Sequence, residues 1–488
     1  MKRKLIIYLL GTIFMAAGLN SAYSCRKKEV TPDPVVSIDT TGHGWTKTDV
    51  VFWLTNADKS VLLTRQNLGM LFNSETNQYP TIDIDTSLTY QSIDGFGCTM
   101  TGGSAYLINK MTTYGRDALI KELFSRDSAC IGINYIRISI GSSDLSTSVF
   151  SYDDMPAGQT DVDLTHFSLE HERSDLIPVL KLVLQQNPGI KILGSPWSAP
   201  TWMKTNKNSI GGSLLPEYYD VYARYLVKYI QGMQAEGIPI DAITVQNEPL
   251  NPNNNPSMEM LSTEQASFIK NNLGPAFKAA NINTKIILYD HNCDHPEYPI
   301  SILNDVDARQ YIDGSAFHLY GGDISALSQV HLAFPQKNVY FTEQWVGGPS
   351  NFGPDMRWHI KNLIIGATRN WSKNVLEWNL ASDATYNPHT DGGCSACEGA
   401  VTISSSSVSR NVSYYIMAHA SKFVPDGSVR IGSTIVSNLQ NVAFKTPEGK
   451  KVLVVLNDGD VTQTFNIKYK GRKVTATLNS GSVATFVW

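Results

Sequence analysis

Between residues 94 and 380 the chain alternates short runs of apolar, often β-branched residues with longer stretches whose apolar positions recur every three or four residues. The first kind suits buried strands and the second suits amphipathic helices. One repeat reads directly. Ser174 to Gln186 is a helix candidate opened by a Ser-Asp cap, Asn187-Pro188-Gly189 breaks it, and Ile190 to Gly194 is a buried strand. In the next repeat Tyr222, Leu226, Tyr229, Ile230 and Met233 share one helical face, and Gly237-Ile238-Pro239 closes the helix before Ala242 to Gln246. The remaining strand candidates lie near Gly95 and at Tyr135 to Ile140, Ile286 to Tyr289, Ala316 to Leu319, Val339 to Thr342 and Val375 to Trp378. Eight strands separated by helices predict an α/β fold, a closed (β/α)8 TIM barrel.

Both ends of the chain follow a different pattern. Val51 to Leu54 and Val61 to Leu63 flank the turn-like Asn56-Ala57-Asp58, and short alternating runs recur after Asp426, among them Val452 to Leu456, Phe465 to Ile467 and Val474 to Thr477. They predict an appended β-sandwich built from both chain termini, residues 47–92 plus 425–488, beside a barrel at 93–424. Residues 1–24 read as a signal peptide: Lys2, Arg3 and Lys4, an apolar stretch from Leu5 to Leu19, then small residues. Ser21-Ala22-Tyr23-Ser24-Cys25 resembles a bacterial lipobox, which makes Cys25 a lipidation site and residues 25–46 a flexible tether. The alternatives are cleavage after Ser24 without lipid, or an uncleaved anchor. The expected location is the outer membrane as a lipoprotein, the periplasm or the cell surface, with membrane contact only through the lipid.

With 488 residues, 42% of them hydrophobic and 17% charged, the chain has enough apolar material for a large core. A net charge of -4 without long runs of one sign gives no footprint for nucleic acid. Nine Trp and 22 Tyr offer faces suited to stacking on sugar rings, although most aromatics in any fold are core. Of six cysteines only Cys394 and Cys397 form a close pair. Without a second such pair, and with only His389 nearby, a local disulfide in an oxidising compartment outweighs a zinc site. No metal or organic cofactor is implied.

In such barrels chemistry gathers at the C-terminal ends of the strands. The fourth runs into Gln246-Asn247-Glu248-Pro249 and the seventh into Thr342-Glu343-Gln344-Trp345, so Glu248 and Glu343 face each other across the mouth. A carboxylate pair there suits glycosidic cleavage, provided their environments set the two pKa values apart. An apolar wall or the partner's negative charge would keep one of them protonated. Two unrelated surface or salt-bridged glutamates are the alternative that spacing alone leaves open.

Several further stretches resemble glycoside hydrolase family 30: Gly95-Phe96-Gly97, the segment from Ser195 to Asn206, Gln246-Asn247-Glu248-Pro249, Phe317-His318-Leu319-Tyr320, Trp378-Asn379-Leu380-Ala381 and Ser421 to Pro425. The resemblance runs from about Trp53 to the C-terminus. It implies a retaining β-glycosidase with Glu248 as acid/base, Glu343 as nucleophile, and Asn247 placed for the sugar 2-hydroxyl. It also puts Arg137, Asp144, Trp197, His318, Tyr320 and Trp378 around the sugar. A structural ion pair for Arg137, a cap for Asp144 and a satisfied core histidine for His318 are the competing roles. Within the family, the stretches around Gly102, Asn292 and Cys394 look most like the β-1,6-glucanase branch, so β-glucan is the expected partner. A glucosylceramidase-like or exo-acting β-glucosidase is the alternative. A surface glycan-binding protein on an inactive scaffold is a remote one, since it should lack a catalytic carboxylate.

Overall fold

The computed structural model describes residues 47–405 and 407–488. The expected signal peptide, the lipobox at Cys25 and the tether lie outside the described residues.

Eight parallel strands close into a barrel: Gly95–Thr99, Tyr135–Ile140, Lys191–Pro196, Ala242–Thr244, Lys285–Cys293, Ile312–Gly322, Asn338–Glu343 and Ser372–Asn379, called barrel strands one to eight below. Strand eight pairs with strand one and completes the ring. The first helix, Gly102–Lys110, begins where the Thr101 side chain accepts from the Ser104 amide, satisfying one free N–H of the first turn. The expected Ser-Asp cap is different. The helix after strand two starts at Leu176, and the Asp175 carboxylate accepts from Asn109 instead of from its own helix.

Successive residues of a strand face opposite sides, so inward positions fall into layers. The lower layer is an apolar plug of Tyr135, Leu193, Ala242, Ile287, Ala316, Tyr340 and Leu376. Strand one has no side chain to add, because a Cβ on Gly97 would lie 1.9 Å from the Tyr135 carbonyl oxygen. Two residues further along, the strands change character and supply Arg137, Ser195, Thr244, His318, Thr342 and Trp378. Strand five breaks the rhythm. Its pairing with strand six shifts between Tyr289 and His291, and Tyr289 and Asp290 take φ of 73° and 66°. This added residue sends Tyr289 out among the helices and turns Asp290 inward.

The second unit is a nine-stranded sheet wrapped around its own core, with three strands from before the barrel and six from after it. Val51–Thr55 pairs antiparallel with Val483–Val487, which joins the two ends of the fold. Lys451–Asn457 explains why so many consecutive positions are apolar. Leu453 and Val455 enter the sandwich core, while Val452, Val454 and Leu456 pack into the barrel's core. Both faces of this strand are buried, as in a parallel sheet covered on two sides. His419, on the last barrel helix, is buried between the Thr55 and Thr485 hydroxyls of the sandwich. Burial depresses its pKa to about 3, so it bridges the two units as a neutral ring.

Candidate active site

The polar layer above the plug is organised around Asp290, a residue absent from the sequence expectations. Its Oδ2 accepts from Arg137 Nη2 at 2.8 Å, Thr244 Oγ1 at 2.7 Å and Ser195 Oγ at 3.1 Å. Its Oδ1 faces Thr342 Oγ1 at 2.6 Å and His318 Nε2 at 3.1 Å. Burial opposes the charge, but Arg137 and His318 outweigh it and hold the Asp290 carboxyl far below the usual carboxylate range. Thr244, Thr342 and Ser195 are inward positions that strict alternation could have found. Asp290 is not, because alternation points Tyr289 inward.

Arg137 is fully buried and its four donor contacts fan across the barrel. Nε reaches Ser195 at 3.0 Å, Nη1 reaches Glu343 Oε2 at 2.5 Å, and Nη2 reaches Asn247 Oδ1 at 2.5 Å besides Asp290. Trp197 and Trp378 stack at 5.4 Å, with the guanidinium 4.8 Å from one ring centroid and 5.8 Å from the other. Both indoles are almost wholly buried, so they hold Arg137 in place as much as they wall a ligand site. The bond to Asn247 Oδ1 fixes that amide and leaves its Nδ2 for a ligand.

Glu248 and Glu343 meet across this layer, with a carboxylate oxygen of one within 4.8 Å of a carboxylate oxygen of the other. Glu343 Oε1 accepts from the Tyr320 hydroxyl at 3.0 Å. Glu248 sits at φ 43° just past the end of strand four, and its amide is fixed on the Asp290 carbonyl at 2.9 Å. Its Oε1 lies 3.3 Å from His318 Nδ1 and 3.8 Å from His291 Nδ1. Its Oε2 accepts from Asn251 at 2.7 Å and Asn254 at 3.3 Å.

His318 ties the two halves together. The ionised Asp290 has no proton to give, so Nε2 carries the hydrogen on that side, and one proton lies between Nδ1 and Glu248. Burial disfavours the imidazolium, yet the charge of Glu343 and the contacts with Asp290 and Glu248 lift His318 to about 9. The electrostatics correct one expectation. Burial raises Glu248, but His291 and His318 outweigh it, so Glu248 lies below its ordinary range and the shared proton rests on His318. Glu343 is raised, chiefly by burial and also by the charges of Glu248 and Asp290, against relief from His318 and Arg137.

Asp144, in the loop after strand two, is lifted to about 7 by burial and by the charges of Glu343 and Glu248. It can therefore donate as well as accept near neutrality. Cys394 and Cys397 are joined by a disulfide, and Cys397 packs with Leu145, Trp197 and Trp378. One ligand atom each from Glu248, His318 and Glu343 would suit a cation by spacing alone. Two of the three already serve charged partners, Glu343 on Arg137 and His318 on Asp290, which makes the cluster a poor metal site. A cleft of about 880 Å³ at the seam of barrel and sandwich, lined by Trp358, Arg357 and Gly481, contains none of these groups.

Barrel, opposed carboxylates and buried arginine define a glycoside hydrolase of the (β/α)8 type. Residues 93–424 match the glycosyl hydrolase family 30 TIM-barrel domain and residues 427–486 the family 30 beta sandwich domain, and the chain belongs to this family. It is 35% identical over 445 residues to endo-1,6-beta-D-glucanase neg1 of Aspergillus fumigatus, covering 85% of this chain and 88% of that protein. The endo-1,6-beta-D-glucanase of Neurospora crassa is 36% identical over 396 residues, 77% of this chain and 81% of its own length. The solved structure of the endo-beta1,6-glucanase BT3312 superposes with a TM-score of 0.85 at 35% identity, covering 91% of this chain and 99% of that one.

Proposed function

We propose that the chain is an exported endo-β-1,6-glucanase that retains anomeric configuration, with Glu343 as nucleophile and Glu248 as acid/base. The observation that carries the mechanism is the 4.8 Å limit between their oxygens. Inverting enzymes hold their carboxyl groups about 6.5–9.5 Å apart to admit a water, whereas retaining ones hold them about 5–5.5 Å apart. Arg137 and Tyr320 both donate to Glu343, fixing its rotamer for attack on the anomeric carbon.

Glu248 protonates the leaving oxygen in the first step and takes a proton from water in the second. The proton that Glu248 delivers is the one it shares with His318 Nδ1, so delivery leaves the Glu248 carboxylate beside a neutral His318, and the proton taken from water in the second step restores the shared one. Asn247 offers its Nδ2 to the 2-hydroxyl of the bound sugar, Asp144 meets other hydroxyls, and the Trp197–Trp378 pair closes the subsite wall.

The substrate reading draws on the named activity of the similar enzymes, whose alignment spans both units. Its test is product analysis on linear β-glucans of different linkage. Short β-1,6-linked oligosaccharides released from β-1,6-glucan, with little release from β-1,3- or β-1,4-glucan, support it. Cleavage of glucosylceramide or simple β-glucosides at equal rate overturns it. The export signal and Cys25 support attachment to a membrane through lipid. Among the described residues, no helix is long and apolar enough to cross a bilayer.

A further inference from the structure

The loop after strand four folds back over the acid/base residue. The Asn251 amide donates to the Glu248 carbonyl at 2.9 Å, closing a tight turn at the left-handed Glu248. The loop is tied down at both ends. Pro249 accepts from the Met260 amide, and Asn255 bonds Ser209, Thr390 and the Asp391 carbonyl, which belong to two other loops of the mouth. Between these ties Asn251 and Asn254 are half-buried, and both carboxamides end on one atom, Glu248 Oε2.

The other oxygen of Glu248 is taken up by His318 Nδ1 at 3.3 Å, with His291 Nδ1 further off at 3.8 Å. Oε2 is then the oxygen that must touch the glycosidic bond, and a group that donates to it competes with the leaving oxygen for the same space. Two amide donors also favour the carboxylate over the acid.

We propose that Asn251 and Asn254 form the leaving-group subsite, capping Oε2 in the empty enzyme and transferring their hydrogen bonds to the hydroxyls of the leaving sugar when substrate binds. Losing both donors raises the proton affinity of Oε2 at the moment the glycosidic oxygen arrives. A primary amide suits this exchange, because it offers a donor and an acceptor to the vicinal hydroxyls of a hexose. In the second step the same amides position an incoming sugar hydroxyl as readily as a water.

The proposal rests on the acid/base role of Glu248 but not on the linkage cleaved. Its test compares Asn251→Ala, Asn254→Ala and the double variant on two leaving groups, a β-1,6-linked glucose oligosaccharide and an activated aryl β-glucoside. The ratio of kcat/KM for oligosaccharide over aryl glucoside is expected to fall at least tenfold in the double variant. The second measurement is transfer of the glycosyl group from the aryl glucoside to added glucose, relative to hydrolysis. That partition should fall several-fold, and it is readable even if β-1,6-glucan is not the substrate. Equal losses on both leaving groups with an unchanged transfer partition would overturn the assignment, as would no change in either ratio.

Discussion

Arg137 donates to Glu343 at 2.5 Å with the guanidinium wholly buried and the carboxylate nearly so. The pair is neither a surface bridge nor a closed couple, since the same guanidinium also serves Asp290 and Asn247. A charge that never titrates thus stands beside the carboxylate proposed as nucleophile, while the partners of Glu248 are an imidazole and two amides.

That contrast separates the two glutamates in variants. Glu343→Ala should abolish the glycosyl-enzyme on every substrate, read by mass spectrometry with a slow fluorosugar. Glu248→Ala should lose about 10²–10⁴-fold on glucan and far less on a dinitrophenyl glucoside, whose leaving group needs no proton. Equal collapse on both substrates would reverse or dismiss the roles.

The alkaline limb of the pH profile should follow His318. Its pKa is raised above the ordinary imidazole value to about 9, so the proton is present through neutrality and lost as pH rises past that point. Asp290→Asn removes an anion facing the ring, which should pull the limb to lower pH; Glu343, Glu248 and Arg137 remain as the other charged neighbours. A kcat/KM profile unchanged in shape would contradict the role given to Asp290.

Asp290→Ala should also destabilise the fold by about 3–5 kcal/mol, since it leaves the Arg137 guanidinium buried without that partner. A thermal midpoint within a degree of wild type would exclude this.

Gly97→Ala should cost above about 4 kcal/mol, enough to deplete soluble protein, because the new methyl has no space before the Tyr135 carbonyl. Normal yield and an unchanged thermal midpoint would show that barrel strands one and two can separate locally.

Peptide mapping should find Cys394 joined to Cys397. Replacing both by Ser should cost about 2 kcal/mol through so short a loop. It should also raise KM, as Cys397 packs on Trp197 and Trp378. Mapping that recovers two free thiols would reject the bridge.

The strands of the barrel were legible in the chain because each is a short apolar run ending in a polar residue, and the helices between them carry a helical stripe. Glu248 and Glu343 were legible for the same reason. Asp290 was hidden by the single added residue in strand five, which inverts the inward and outward sides that alternation assigns. The depression of Glu248 was hidden because His291 and His318 arrive from strands five and six. No pattern within Gln246-Asn247-Glu248-Pro249 records them. The amides of Asn251 and Asn254 lie in an asparagine-rich loop that no motif or periodicity in the sequence singles out.

The strand Lys451–Asn457, which gives one face to each hydrophobic core, bears on how this protein comes apart. Neither unit can be peeled from the other without uncovering Val452, Val454 and Leu456 on the barrel side. Excising residues 425–488 would therefore not yield a smaller enzyme but an aggregating fragment. Heating should melt both units together, as a single peak in calorimetry.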